Sequence, residues 1–141
     1  MVKDNAQILV AGPAVVSRAF GKDFTKEELG GSDVHKKNGV TDNIAESEED
    51  AFNQIKKFLS FFPANIYELP PKKDSKDAID RSEKLLEEII PKDRKKTYEM
   101  REIIQMVVDD KDFSEMSNFF GRGIITGFAR LNGFSVGIFA N

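Results

Sequence analysis

The sequence contains no cysteine, and His35 is the only histidine among its 141 residues. The absence of cysteine excludes disulfide bonds, thiolate zinc sites and a cysteine nucleophile, and it fits a cytoplasmic protein. A lone histidine, with no second histidine or cysteine to join it, is a poor metal ligand. We therefore predict no metal site at His35.

Long apolar runs and an excess of charge of either sign are also absent. No run approaches the roughly 20 apolar residues that cross a bilayer, and residues 1–12 lack the apolar core of a signal peptide. With 21 basic and 24 acidic residues, the net charge of −3 offers no basic surface for nucleic acid. The 40% hydrophobic content is typical of a globular protein with one domain or parts of two.

The most informative stretch that is present covers residues 25–42. Thr25 and Glu28 have the spacing of a capping box, which predicts a short helix. Gly30 follows the last apolar residue of that helix, and we expect it to end the helix in the left-handed conformation. Gly31 adds a second residue without a Cβ, so the backbone here can approach a ligand or another backbone closely.

His35 follows Gly31 by four residues, in what we expect to be a loop of definite shape. Asn38–Gly39 predicts a second turn. Two interpretations of His35 remain open at this point. It either contributes to the shape of a substrate site or forms a hydrogen bond to a neighbouring loop.

Upstream of this stretch, residues 7–11 (QILVA) predict a short buried strand. Pro13 suits the first turn of a helix that turns Val15, Val16, Ala19 and Phe20 inward. The step from strand to helix leaves free N–H groups at residues 12–15, where a thioester or phosphate can bind. A plain strand–turn–helix packing unit is the alternative.

Downstream, Ser47 predicts the start of an amphipathic helix that Pro63 ends. Its apolar face comprises Ala51, Phe52, Ile55, Phe58, Leu59 and Phe62. Residues 64–76 are polar, contain Pro70–Pro71, and predict a linker.

The last third of the sequence predicts a helix and a hairpin. Thr97 is the expected cap of the helix, whose buried side comprises Met100, Ile103, Ile104, Val107 and Val108. Residues 109–115 are acidic but lack the order of calcium ligands in an EF-hand, which favours a solvated loop. Residues 124–131 and 134–140 predict two strands joined by a type I′ turn at Asn132–Gly133.

Six blocks of the chain resemble, in order, the sequence of biotin-dependent acyl-CoA carboxyltransferases. Ser32 and Asn38 depart from the alanine and serine that are usual in the family. The resemblance covers nearly the whole chain. The blocks are residues 12–16 (GPAVV), 25–35 (TKEELGGSDVH), 38–40 (NGV), 89–100 (IIPKDRKKTYEM), 107–113 (VVDDKDF) and 127–141 (GFARLNGFSVGIFAN).

The resemblance implies an α/β (α+β) chain with part of a crotonase-like (ClpP/crotonase) carboxyltransferase fold, spanning the junction of two crotonase-like domains. Residues 1–63 would be the C-terminal part of the first domain, 64–96 a connecting segment, and 97–141 the start of the second. We therefore expect an internal fragment of a longer protein: an excised domain, a split gene or a degenerate copy.

The resemblance also implies a function. Family members transfer a carboxyl group between carboxybiotin and the α-carbon of a short acyl-CoA, or catalyse the reverse reaction in decarboxylases. The implied partners are biotin on a biotin carboxyl carrier protein, biotin carboxylase, and further copies of the subunit in a homo-oligomer. The implied location is the cytoplasm, or the mitochondrial matrix in a eukaryote.

The family stabilises its enolate and its biotin oxyanion with pairs of backbone N–H groups in two glycine-rich loops. Neither loop resembles Gly30–Gly31, so we assign no catalytic residue and expect the isolated chain to be inactive. Gly30, Gly31 and His35 are the candidate substrate-binding residues, on the acyl-CoA side. Two alternatives remain, a non-catalytic assembly module and a small free-standing α/β protein, and the acyl group is not indicated.

Overall fold

The computed structural model describes residues 1–93 and 95–141, and Arg94, within block 89–100, lies outside the described residues. The described chain divides into two compact units. Unit 1 comprises Met1–Lys56 and Ser117–Arg122, and unit 2 comprises Lys57–Met116 and Gly123–Asn141. The helices are α1 (Pro13–Phe20), α2 (Lys26–Gly30), α3 (Ser32–Asn38), α4 (Glu48–Leu59) and α5 (Met100–Val107), and the strands are β1 (Ser114–Met116), β2 (Ile125–Leu131) and β3 (Phe134–Ala140).

The starts of the helices follow local rules that the sequence displays. Pro13 occupies the first turn of α1, as predicted, because its missing N–H is not needed there. Ser47 caps α4, since its Oγ accepts a hydrogen bond from the Asp50 N–H at 3.1 Å. None of the helices within residues 1–93 and 95–141 combines the length and apolar character that crossing a bilayer requires.

Two predictions for the start of unit 1 are wrong. Residues 7–11 form no strand, because an apolar run becomes a strand only where another strand supplies backbone partners. Ile8 N–H instead donates to Gly30 O in α2 at 2.9 Å. The predicted inward face of α1 is also exposed, with Val15 and Phe20 at 64% and 76% of their full accessibility.

Unit 2 is built on a three-stranded antiparallel sheet in the order β1-β2-β3. The predicted hairpin is confirmed, with Ile125 opposite Ala140 and Leu131 opposite Phe134. Asn132 and Gly133 have φ angles of 50° and 80°, as a type I′ turn requires. The short strand β1 was not predicted, because three residues carry too little periodicity to identify a strand.

The core of unit 2 lies between α5 and one face of the hairpin. Its buried residues are Ile104, Val108, Ile125 and Ala129, and Met100, Phe113, Val136, Ile138 and Ala140 pack against them. The predicted apolar side of α5 is therefore confirmed at Ile104 and Val108, which the helical spacing places on one face. The prediction is wrong for Val107, which is 47% exposed.

The start of α5 differs from the prediction by two residues. Glu99, not Thr97, is the N-cap, and its side chain accepts a hydrogen bond from the Arg101 N–H at 3.2 Å. A carboxylate at this position also meets the positive end of the helix dipole.

A second aromatic cluster in unit 2 surrounds Phe128 of β2. The rings of Phe58, Phe61 and Phe62 lie 5.7, 5.7 and 5.1 Å from the Phe128 ring. The predicted apolar face of α4 is thus buried only in part, because Phe52, Ile55 and Leu59 remain exposed.

Candidate functional site

The candidate site is built at the junction of α2 and α3 in unit 1. The predicted capping box is confirmed: Glu28 N–H donates to the Thr25 hydroxyl at 3.2 Å, and Thr25 N–H donates to the Glu28 carboxylate at 2.8 Å. These reciprocal bonds fix the start of the five-residue helix α2. The end of α2, at Gly30 and Gly31, is consequently held in a defined position.

Gly30 and Gly31 are required for close approach, not for a left-handed turn. Neither has a positive φ, so the expected left-handed end at Gly30 is wrong. A Cβ on Gly30 would collide with the Ile8 carbonyl and the Leu9 side chain, and a Cβ on Gly31 would collide with Glu27. The prediction that the paired glycines allow backbone to approach backbone is therefore confirmed.

His35 lies on helix α3 and not in a loop, which corrects the prediction. The turn after it is confirmed, since Gly39 ends α3 with a φ of 78°. The His35 side chain is buried, with 8% of the residue exposed. Its Nε2 lies 2.8 Å from Ile8 O, and its Nδ1 lies 3.4 Å from Asn38 Nδ2.

These two contacts define the tautomer of His35. A carbonyl only accepts, so Nε2 carries the proton and donates to Ile8 O. Nδ1 then accepts from the Asn38 amide, whose own oxygen accepts from Val40 N–H at 3.1 Å. Both ring nitrogens are engaged, which is the arrangement of a positioning residue and not of a group free to move protons.

Ile8 connects this junction to the start of α1. It donates to Gly30 O and accepts from His35, so residue 8 is fixed by both candidate residues. The chain then runs to Gly12, the N-cap of α1, which has no side-chain cap. The contacts of the block at residues 25–35 thus reach the chain four residues before Gly12.

Three backbone N–H groups near the junction and at the start of α1 donate within the chain. Gly31 N–H donates to Glu27 O at 3.0 Å, and Val15 and Val16 N–H both donate to Gly12 O. These donors are already satisfied within the chain and cannot also stabilise a developing oxyanion. The arrangement holds the backbone in place through contacts within the chain.

The carboxylates around the junction are held in their ionised form. Hydrogen bonds from the Thr25 backbone and hydroxyl lower the pKa of Glu28. The Lys36 ammonium, which lies 2.5 Å from the carboxylate, lowers the pKa of Asp33 on α3. Both effects arise because the contacts favour the charged carboxylate over the neutral acid.

The acidic segment at residues 109–115 of unit 2 is engaged in structural contacts. Asp109 accepts from the N–H groups of Asn132 and Gly133 at 2.9 and 2.6 Å, and so fixes the hairpin turn. Asp112 lies 2.5 Å from Lys57 Nζ. Within residues 1–93 and 95–141, no three His, Cys, Asp or Glu side chains converge in a way that could hold a metal ion.

The sequence interpretation missed that Ile8 is the partner of His35. No local signal marks Ile8, because the contact spans 27 residues and uses its carbonyl, which every residue carries. The apolar character of residues 7–11 indicated burial and gave no sign of this hydrogen bond.

Comparison with known proteins defines the class of this chain. The chain belongs to the carboxyl transferase domain family, which it matches over residues 1–141. It is 38% identical to the methylmalonyl-CoA decarboxylase subunit alpha of Veillonella parvula and 37% identical to the mitochondrial propionyl-CoA carboxylase beta chain of Homo sapiens. Both similarities cover the whole chain, which spans 28% and 26% of the length of these relatives.

Solved structures identify the fold. The hexameric transcarboxylase 12S, with hydrolysed methylmalonyl-coenzyme A bound, matches the whole chain with a TM-score of 0.91 at 36% identity. The chain spans 28% of that protein. The predicted α/β, crotonase-like carboxyltransferase fold is therefore confirmed, as is the resemblance on which it was based.

Proposed function

We propose that this chain acts as part of a biotin-dependent carboxyltransferase, which moves a carboxyl group between carboxybiotin and the α-carbon of a short acyl-CoA. The observation that carries the proposal is the match to the carboxyl transferase domain over all 141 residues. The names of the relatives indicate acyl-CoA substrates with three or four acyl carbons. An acyl-CoA decarboxylase subunit is a second candidate, favoured by the Veillonella parvula relative.

Biotin and CoA are the groups that this function requires. One cavity, of about 550 Å³, is open and mostly apolar, and it is lined by Leu59, Phe62, Leu69 and Pro71 among others. Apart from Glu68, its lining side chains are apolar. We therefore propose no catalytic residue in this chain, and propose that biotin is presented by a biotin carboxyl carrier protein that biotin carboxylase loads.

Gly30, Gly31 and His35 are proposed to shape the acyl-CoA side of the site indirectly. Their contacts with Ile8 support this role, because they fix the backbone four residues before Gly12. A displacement of about 1 Å in a substrate-positioning segment can lower the rate of an enzyme about a hundredfold. We propose that these residues position the start of α1 and have no part in the chemical step.

Residues 1–63 are proposed to belong to a first crotonase-like domain, residues 64–96 to connect it to a second, and residues 97–141 to begin that second domain. We also propose a homo-oligomer, as in the hexameric transcarboxylase 12S, and a location in the cytoplasm, or in the mitochondrial matrix of a eukaryote.

A chimeric enzyme tests the proposed function. The 141 residues replace the matching segment of transcarboxylase 12S, and carboxyl transfer from carboxybiotin is measured with acetyl-, propionyl- and butyryl-CoA. Decarboxylation of methylmalonyl-CoA is measured on the same preparation. We expect the chimera to assemble and to retain transfer activity with at least one of these thioesters.

The control is the same chimera with Gly30→Ala, which introduces a Cβ where the Ile8 carbonyl lies. We expect this variant to lose activity while its hexamer persists. A chimera that forms the hexamer and binds acyl-CoA but transfers no carboxyl group would contradict the proposal, and would favour a non-catalytic assembly module.

A further inference from the structure

Residues 73–81, here called the strap, begin inside the predicted linker at residues 64–76 and extend five residues past its end. In unit 2 they are attached to the structure at several points. Lys73 N–H donates to Gly133 O at 3.0 Å, and Lys76 N–H donates to Asp110 Oδ1 at 3.4 Å. In return, Asp110 N–H donates to Asp77 Oδ2 at 2.7 Å. The strap is therefore a bound element of unit 2.

Arg81 makes the most extensive attachment. Its Nη2 donates to the carbonyl oxygens of Met106, Val107 and Val108 at 2.8, 3.1 and 3.1 Å. These carbonyls lie at the C-terminal end of α5, where helix carbonyls lack intrahelical partners and the helix dipole favours a cation. The Nη1 of Arg81 also forms an ion pair with Asp77 inside the strap.

The attachment is polar throughout. No residue of the strap is buried, and its largest apolar side chain, Ile79, is 82% exposed. The strap therefore gains little from the hydrophobic effect that holds α5 to the hairpin. Segments with few buried apolar contacts open with smaller free energies than the core beside them.

The strap also covers a buried cation. A cavity of about 10 Å³ beside Arg130 is lined by Lys73, Asp74 and Ser75 of the strap. Arg130 is 7% exposed, and its Nε has no hydrogen-bond partner within the part of the chain that the structure describes. Arg130 Nη2 donates to Ser60 O and Oγ at 2.7 and 3.0 Å, outside the strap. Opening of the strap would therefore open the cavity beside Arg130 and leave these contacts in place.

We propose that residues 73–81 form a polar cover over Arg130 that opens as a local unit, while α5 and the hairpin stay folded, and that Arg81 holds it closed. This conformational role is independent of the proposed carboxyl transfer. The three carbonyls and Asp77 share one guanidinium, so replacing Arg81 removes most of the attachment at one end of the strap.

Hydrogen exchange measured by mass spectrometry on the 141-residue chain tests the proposal. In the native sequence, we expect the strap amides to exchange faster than those of β2 and β3. In Arg81→Gln, we expect the strap amides to exchange about tenfold faster still, with the β2 and β3 amides changed less than about twofold. Trypsin cleavage after Lys76 should accelerate in parallel.

Arg101→Gln is the matched control, because Arg101 also bonds carboxylates in unit 2 but contacts Glu99 and Glu115. This variant should leave the exchange of the strap unchanged. If Arg81→Gln unfolds unit 2, Asp77→Asn gives a milder test, since it breaks the ion pair and leaves the carbonyl contacts. Equal exchange rates for the strap and hairpin in the native sequence, or no acceleration in Arg81→Gln and Asp77→Asn, would overturn the proposal.

Discussion

At the scale of single residues, His35 and its partners decide what the junction of α2 and α3 does. The imidazole spans from α3 to the Ile8 carbonyl and is itself held by Asn38. Ile8 is half-exposed, so loss of its donor costs the hydrogen bond and, to the extent that water does not reach the carbonyl, part of its desolvation. The nature of the replacement side chain therefore determines the outcome of a substitution.

His35→Gln is expected to be tolerated in the chimeric enzyme, because the glutamine amide can still donate to Ile8 O. We expect a loss of about 1 kcal/mol in the free energy of unfolding, as for one neutral hydrogen bond. His35→Ala, which leaves Ile8 O without this donor, should cost about 1–3 kcal/mol. A roughly thousandfold fall in kcat for a well-folded His35→Gln would instead make His35 catalytic.

Glu28 gives unit 1 a dependence on pH. Its pKa is lowered in the folded chain from an ordinary value of 4.5, so its stabilising contribution is complete above pH 4.5 and disappears as pH falls through the folded pKa. We expect the stability advantage of the native sequence over Glu28→Gln to be constant above pH 4.5 and to shrink below it. Urea unfolding at several pH values measures the difference, and an advantage that grew on acidification would contradict the assignment.

At the scale of elements, the β2–β3 hairpin is positioned by its own turn and by Asp109. The Asn132–Gly133 pair adopts the type I′ conformation locally. The Asp109 carboxylate then binds both turn N–H groups, and this contact ties the turn to the end of α5. Charge-assisted hydrogen bonds of this kind are stronger than neutral ones.

Asp109→Ala should lower the free energy of unfolding of unit 2 by about 2 kcal/mol, because two turn N–H groups lose their acceptor. The control is Glu102→Ala, which removes an exposed carboxylate from α5 in the same unit. Urea unfolding followed by circular dichroism compares the two variants. Equal effects would show that the turn does not depend on Asp109.

The acidic segment is expected not to form a specific calcium or magnesium site. Asp109 and Asp112 are engaged with the turn and with Lys57, and the ligand order of an EF-hand is missing. Isothermal titration calorimetry with either metal should show no stoichiometric binding. Binding tighter than about 10 μM that Asp112→Asn abolishes would show that this prediction is wrong.

At the scale of the whole molecule, exposed apolar surface dominates. Eight of the twelve phenylalanines are exposed. In the described part of the chain, only six apolar residues are buried: Ala45, Phe61, Ile104, Val108, Ile125 and Ala129. Where exposed apolar side chains form contiguous patches, they usually mark surfaces that associate with other polypeptides. Association with other polypeptide surfaces is the usual way to cover them.

We expect the purified 141-residue chain to self-associate and to transfer no carboxyl group. Association would remove exposed phenylalanines from water, and the N–H groups of Val15, Val16 and Gly31 already donate within the chain, so they are not available to an enolate. Light scattering measures the mass, and an assay with carboxybiotin and short acyl-CoAs measures transfer. A monodisperse monomer with cooperative unfolding, or turnover above the uncatalysed rate, would contradict the respective half of this prediction.

The sequence alone could predict the features whose causes lie within a few residues. The capping box at Thr25, the Ser47 cap, the first turn at Pro13 and the Asn132–Gly133 turn are all confirmed. Each depends on local backbone geometry and hydrogen bonds between near neighbours. The ordered motif blocks also identified the family, because motif order is a property of the sequence itself.

Only the tertiary structure decided which residues meet and which surfaces are covered. The apolar run at residues 7–11 predicted a strand, yet Ile8 binds α2 and His35, and the polar linker proved to be attached through Arg81. The physical reason is that burial and long-range hydrogen bonds depend on partners far along the chain. A residue's own chemistry determines what it can bind, and the fold determines what lies within reach.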